Sequence, residues 1–254
     1  MNRLGMLAPW ALVGLLLLGW QGACLILRTP EYLLPPPTAI AAALAHNAPM
    51  LARSAWRTLA MALEALVVAA VFAGLLALVV SLSRTLDRAV RPLAVALQVT
   101  PVVAIAPLFV IWAGVDHPDR AIVALAAIVA FFPIFSGAVR GLTSADPDLE
   151  RLFDLYDAPP LQRLLRLRLP SAVPFIVEGC KVASGLAIIG AVVAEFVAGS
   201  GGAEGLAWRI LEAGNRLRTA EMFAAILTLA MMAAGVHMLF QLLEKRAMTW
   251  WRGR

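Results

Sequence analysis

Four ionisable side chains, Glu64, Glu178, Lys181 and Glu195, stand inside long apolar runs. A charge at bilayer depth is costly, so such a residue pairs, faces water, or takes part in function. Glu178 and Lys181 are three residues apart near the start of one run, a spacing that predicts a structural ion pair on one helical face. Glu195, near the far end of the same run, either makes a cross-helix hydrogen bond or snorkels. Glu64 is expected to face the interior of a helix bundle and meet a hydroxyl or amide there. Pro101 and Pro107, in "VTPVVAIAPL", remove backbone donors from another apolar run and predict kinks, either structural or lining a pathway.

Other chemistries find no support. No G-x-x-x-x-G-K-[ST] occurs, and "GSGG" at 199–202 lacks the following lysine, so ATP hydrolysis by this chain is not expected. Cys24 and Cys180 have neither disulfide nor metal-ligand spacing. With three His, one of them His237 inside an apolar run, no metal centre is expected, and no cofactor. No nucleophile or His/Asp/Glu constellation marks an enzyme active site.

The elements that hold these residues are membrane helices. Of 254 residues, 61% are hydrophobic and 15% charged, outside the range of soluble domains. The net charge of +5 is better explained by basic loops beside anionic lipid than by nucleic acid. Runs of about 20 apolar residues can span a bilayer. Six are present: Leu4–Leu27, Leu59–Ser83, Leu93–Val115, Ala121–Val139, Phe175–Ala198 and Met222–Leu243. Period-2 alternation is absent, which excludes a β-barrel, and the fold class is all-α and polytopic. The first run reads as a retained helix, although "GWQGAC" faintly resembles a processing site. Placing the N-terminus inside puts thirteen Lys and Arg on the cytoplasmic side and seven outside, so both termini are expected in the cytoplasm. The connections at 28–58, 140–174 and 199–221 are too short for a soluble domain. In the first, Pro35–Pro37 imposes an extended entry and Thr38 could cap a short helix. In the last, Leu206, Ile210 and Leu211 have helical spacing.

One connection is unusual: "DLYDAPPLQRLLRLRLPSAVP", from Asp154 to Pro174. Asp157 suits an N-cap, with Pro159 and Pro160 at positions that need no donor. The helix is expected from about Leu161 to Leu169, roughly 14 Å long, and Pro170 discourages its continuation. Leu161, Leu164 and Leu165 form an apolar face, while Gln162, Arg163 and Arg166 lie elsewhere on the surface. The segment is either a basic helix resting on headgroups or a docking knob for a cytoplasmic partner.

This stretch, with "EGCKVASGLAIIGAVVAEFVAGSGG" at 178–202, resembles the signature region of ABC importer permeases. "LLPPPTAIAAAL" at 33–44, "VTPVVAIAPLFVIWAGV" at 99–115 and "FFPIFSGAVRGLTSADPDL" at 131–149 follow the same order in the nitrate, sulfonate, taurine and pyrimidine-precursor branch. The resemblance runs from about Leu33 to Arg246. The family's signature loop has Glu-Ala-Ala, three residues, Gly, then about a dozen residues to Leu-Pro. Counting back from Leu169-Pro170, Asp157 falls on the Gly, and Arg151, Leu152 and Phe153 fall on the Glu-Ala-Ala, so this chain departs from the pattern there.

The resemblance implies a type I ABC importer permease fold in one transmembrane domain over residues 1–254. It implies a bacterial inner-membrane chain working beside a second copy, with two cytoplasmic ATPases that bind ATP and Mg, and an external solute-binding protein. Asp157, Pro159, Pro160, Leu161, Gln162, Arg163, Leu164 and Arg166 would form the ATPase-coupling segment within 154–169. Glu64, Pro101, Pro107 and Glu195 would line the pathway or gate. Within the branch the chain most resembles permeases for thiamine-type pyrimidine precursors, with nitrate, sulfonates and taurine open. The competing reading is a proton-coupled carrier using Glu64 or Glu195.

Overall fold

A computed structural model describes residues 3–114, 117–198 and 204–252. The "GSGG" stretch at 199–202 lies outside the described residues. Helices dominate, and no strand occurs among the described residues. They fall into two compact units, residues 1–57 with 204–231, and residues 58–203 with 232–254.

The first unit contains α1 (Arg3–Leu27), α2 (Pro37–His46), the start of α3 (Ala48–Ser81), α10 (Leu206–Asn215) and the first part of α11 (Thr219–Arg252). Pro36, with φ −69° and ψ 150°, gives α2 the extended entry that the proline run requires. Thr38 is not the cap: it sits in the first turn, and its N–H donates to Gln21 Oε1 of α1 at 3.3 Å. A neighbouring helix thus satisfies a donor that α2 leaves open at its N-terminus. Trp20 of α1 packs on Phe223 of α11, ring centres 5.9 Å apart. Arg209 joins α10 to α3 by donating to the buried Ser54 hydroxyl at 3.2 Å.

The second unit holds the rest of α3, then α4 (Arg84–Val99), α5 (Val102–Ala113), α6 (Pro118–Leu142), α7 (Pro147–Leu155), α8 (Pro160–Arg163) and α9 (Leu169–Ala198), with the end of α11. Its centre is an α6–α9 seam of small residues. A methyl group on Gly137 would fall 2.7 Å from the Phe175 carbonyl oxygen, and one on Gly179 would fall 2.8 Å from that of Pro133. The spacing Gly137-x-x-x-Gly141 is the small-residue pattern that lets membrane helices approach closely. At the opposite end of the seam Gly190 abuts Ala126, so the two helices run antiparallel in contact over most of their length.

Among the described residues, four helices are long and apolar enough to cross a bilayer: Ala48–Ser81, Pro118–Leu142, Pro160–Ala198 and Thr219–Thr249. The expected span Leu93–Val115 is not a kinked rod. It is broken between α4 and α5, which meet at 94° and count as a fifth span when joined. The break falls where Thr100, the residue before Pro101, takes an extended conformation (φ −67°, ψ 125°) as a residue preceding proline prefers. Pro101 therefore sits at the N-terminus of α5, and Pro107 alone lies inside it. The remaining apolar run appears in α1, whose segment Ala11–Leu27 carries exposed leucines along its length.

The seam yields a direct expectation. Gly179→Val should cost about 1–3 kcal/mol or more, because backbone rather than a movable side chain blocks the new group. Gly74→Ala, where a methyl meets nothing within 4 Å, should be neutral or slightly stabilising. Thermal unfolding of the two variants in detergent measures the difference.

Candidate coupling segment and intramembrane charges

The segment after α6 is a helix pair rather than a linker and one helix. Asp146 caps α7 by accepting from the Asp148 N–H at 2.8 Å, with Pro147 in the first position. The Asp-Pro step and the apolar spacing of Leu149, Leu152 and Phe153 were the available sequence signal for α7. That helix ends in a Schellman arrangement: Ala158 N–H donates to Phe153 O and Asp157 N–H to Asp154 O, both at 3.1 Å. Asp157 sits at φ +45°. It is therefore a helix C-terminal residue and not the expected N-cap, which Pro159 provides with Pro160 in the first position. The positive φ of Asp157 bears on one of the departures from the family signature, Asp in place of Gly, and not on Arg151, Leu152 and Phe153. The site matching the signature glycine needs a left-handed backbone, which Asp tolerates better than most non-glycine residues.

The expected helix also does not stop at Pro170. After α8 the chain makes one π-helical turn, Leu164–Arg168, and runs directly into α9, which contains both Pro170 and Pro174. The wider i→i+5 turn, closed by Leu169 N–H to Leu164 O, makes room for the Pro170 ring. Pro174 would leave the Pro170 carbonyl without its i+4 donor, and Trp251 of α11 supplies one through its indole N–H at 2.8 Å.

Charge braces this junction. Arg163 pairs with Glu150 at 3.3 Å and with Asp154, and Arg168 reaches Glu150 at 2.8 Å. Arg163 thus ties α7 to α8 instead of standing free. Leu164 is half-buried and Leu167 buried, while Leu161 is exposed. Leu155 and Tyr156, at the end of α7, are 81% and 79% exposed. These two and Leu161 are the most exposed apolar residues of the pair among the described residues, ahead of Leu149 and Leu152, and the sequence reading does not single out Leu155 or Tyr156. Gln162 is half-buried, and Arg166 is exposed and opens onto a groove beside Trp251.

The ionisable residues within the spans arrange themselves differently from expectation. Lys181 does not pair with Glu178; its Nζ lies 2.9 Å from Glu244 of α11, and Glu178 is exposed. No Glu178–Lys181 bridge occurs among the described residues. Lys181 is half-buried on the side from which α11 can reach it, so the cross-helix carboxylate wins over one on its own helix. Glu195 is fully buried, and Thr58 Oγ1 donates to it at 3.3 Å. Glu64 does not face the bundle interior: it is exposed on α3, outward from the buried alanine stripe Ala62, Ala65, Ala69, Ala73 and Ala77. Pro101 and Pro107 are exposed as well. No cluster of three or more His, Cys, Asp or Glu able to hold a metal occurs among the described residues.

Long apolar helices of spanning length, with a braced pair of short helices between two of them, are the make-up of an integral-membrane subunit. The family described as "Binding-protein-dependent transport system inner membrane component" matches residues 67–248, and the chain belongs to that family. It is an ABC transporter permease subunit. A probable ABC transporter permease protein of Haemophilus influenzae is 33% identical over 89% of this chain and 91% of its own length. The formylaminopyrimidine transport permease protein ThiX of Halalkalibacterium halodurans is 33% identical over 76% of this chain and 75% of its own. The riboflavin transport system permease protein RibX of Chloroflexus aurantiacus is 32% identical, covering 93% and 87%.

Two expectations follow from the geometry. Asp157→Gly should keep or raise stability, whereas Asp157→Val should lower it by about 1–2 kcal/mol, the cost of a left-handed L-residue. Lys181→Met or Glu244→Gln alone should depress folded yield by stranding a partly buried charge, with the double variant recovering it. Glu178→Gln should leave yield unchanged; a loss equal to that of Glu244→Gln would return the pair to Glu178.

Proposed function

We propose that two copies of this chain form the membrane pathway of an ATP-driven importer. Two cytoplasmic ATPases, holding ATP and Mg, dock on the α7–α8 pair, and an external solute-binding protein delivers the solute. Both termini face the cytoplasm of a bacterial cell with the chain in the inner membrane, following the thirteen-to-seven basic asymmetry. The observation that carries the reading is the α7–α8 pair itself. It presents Leu155, Tyr156 and Leu161 on a backbone held by a Schellman turn and by the Glu150–Arg163–Arg168 bridges. Apolar side chains exposed on a rigid extramembrane knob suit the centre of a protein interface.

The knob feeds straight into α9 through the π-turn, and α9 carries Glu195 at its far end. A push on the knob therefore reaches the gate region through one helix of about 45 Å. Glu195 would act there in alternating access, and Glu64, Pro101 and Pro107, exposed on this single chain, would contribute to the path or to the face met by the second copy. The solute is a small heterocycle of the pyrimidine-precursor kind, a reading supported by the formylaminopyrimidine and riboflavin relatives. Membership of a binding-protein-dependent family favours this mechanism over proton coupling.

Burial of one leucine contributes roughly 1.5–3 kcal/mol, so Leu155→Asp with Leu161→Asp should weaken ATPase association at least about tenfold while the permease stays folded. Copurification of the ATPase and ATP-driven uptake in proteoliposomes measure this. Retention of full binding and uptake would sink the docking assignment. A thiol placed at Leu161 should resist impermeant reagents added outside intact cells, whereas one at Arg53 should react.

A further inference from the structure

A groove of about 780 Å³ opens beside the π-turn. Leu149 of α7, Leu165 of the turn, Val173 and Ile176 of α9, and Trp251 of α11 supply apolar walls, and among the described residues Arg166 is the one charged lining residue. Arg166 is exposed and has no carboxylate partner among the described residues, although Arg163 and Arg168 on either side are both bound to Glu150. The basic group at the rim is thus left for something outside the chain.

The depth of the groove narrows what that is. In α6 the uncharged run Ala121–Val139 ends at Arg140, which marks where this helix leaves the hydrocarbon. A methyl group on Gly141, the next residue, would lie 2.8 Å from Ala172 Cα of α9. Ala172 therefore stands at the same depth, with Val173 and Ile176 toward the hydrocarbon and Arg166 toward water. Trp251 is fixed at this level by its bond to the Pro170 carbonyl. Tryptophan at the interface, a cation just beyond it and an aliphatic wall just within it match the order of parts in a phospholipid.

We propose that this groove holds an anionic phospholipid of the cytoplasmic leaflet. Its phosphate meets the Arg166 guanidinium, and an acyl chain lies along Val173 and Ile176 against Trp251. The lipid bridges the π-turn, α9 and the end of α11, and so stiffens the junction between knob and spans. The leaflet, though not the groove or its chemistry, rests on the orientation and coupling role proposed above.

The test uses the purified full-length permease with its copurifying ATPase, and native mass spectrometry after titration with phosphatidylglycerol or phosphatidylcholine of the same chains. Wild type should retain phosphatidylglycerol in preference to phosphatidylcholine. Arg166→Gln should cut that retention about fivefold, the factor one basic residue contributes beside an anionic surface. Arg166→Lys should keep most of it, and Arg88→Gln, an exposed arginine of α4, should keep all of it. Val173→Trp should exclude the lipid by filling the groove, and Arg166→Gln covers the case in which that variant fails to fold. Equal retention of the two lipids, or no change in Arg166→Gln, overturns the proposal. So does a loss of ATPase from Arg166→Gln with phosphatidylglycerol retained, since the groove would then be an ATPase contact. Loss of ATPase binding only in the Leu155/Leu161 variant, with lipid retention intact, supports both readings. Intact ATPase binding in that variant with the lipid effect present removes the docking assignment alone.

Discussion

Close backbone approach between α6 and α9 is the constraint on which the second unit depends. In lipid, apolar surface gains nothing by leaving the solvent, so helices associate through van der Waals contact and matched small residues. The Gly137–Gly179 crossing, with Phe175 and Pro133 carbonyls in the space where side chains would sit, provides that contact. Gly141 on Ala172 and Gly190 on Ala126 extend it in both directions. With α9 fixed along α6, the ends of α9 are fixed too. One end carries the π-turn and α8, and the other buries Glu195.

Prolines are handled in three different ways, and the local surroundings decide which. Pro101 follows a residue free to become extended, and the span breaks there at 94°. Pro160 starts a helix, where no donor is missed. Pro170 and Pro174 lie inside α9 without ending it, because a π-turn and the Trp251 indole absorb the consequences. Sequence separates Pro160, at a helix start, from the others, but reads a kink at Pro101, where the span breaks, and a stop at Pro170, where the helix goes on. Whether a proline terminates a helix depends on who can take up the freed carbonyl, and that partner can be far away: Trp251 is 81 residues from Pro170.

The same division separates what was legible from what was not. The long spans were legible because about 20 apolar residues leave few alternatives in water or lipid. The connection around Asp154–Pro174 was legible as special, from its prolines and arginines, yet its parts were misassigned. Asp157 has the composition of an N-cap, and only the bonds from Asp157 and Ala158 back to Asp154 and Phe153 make it the end of α7. The resemblance carried a clue that composition lacked, since a glycine at that place in the signature admits the positive φ that Asp157 takes here. Lys181 illustrates the opposite limit. Glu178 is three residues away and Glu244 is 63, and local spacing cannot see a partner on another helix.

The fate of each charge then separates structural residues from residues free to meet something else. Lys181 with Glu244 and Glu195 with Thr58 hold half-buried or buried ionisable groups by internal bonds, as burial demands. Arg163 and Arg168 are held by Glu150. Arg166 follows in the same basic run and is held by none of these carboxylates, and Glu64 lies open on a span. A run of arginines is therefore not one functional unit. Two of its members fix the shape of the α7–α8 pair, and the third stays exposed beside the groove that Trp251 lines. Exposed apolar and charged side chains thus lie side by side along one short junction, Leu155, Tyr156 and Leu161 before the bound Arg163 and Leu165 beside the open Arg166 after it.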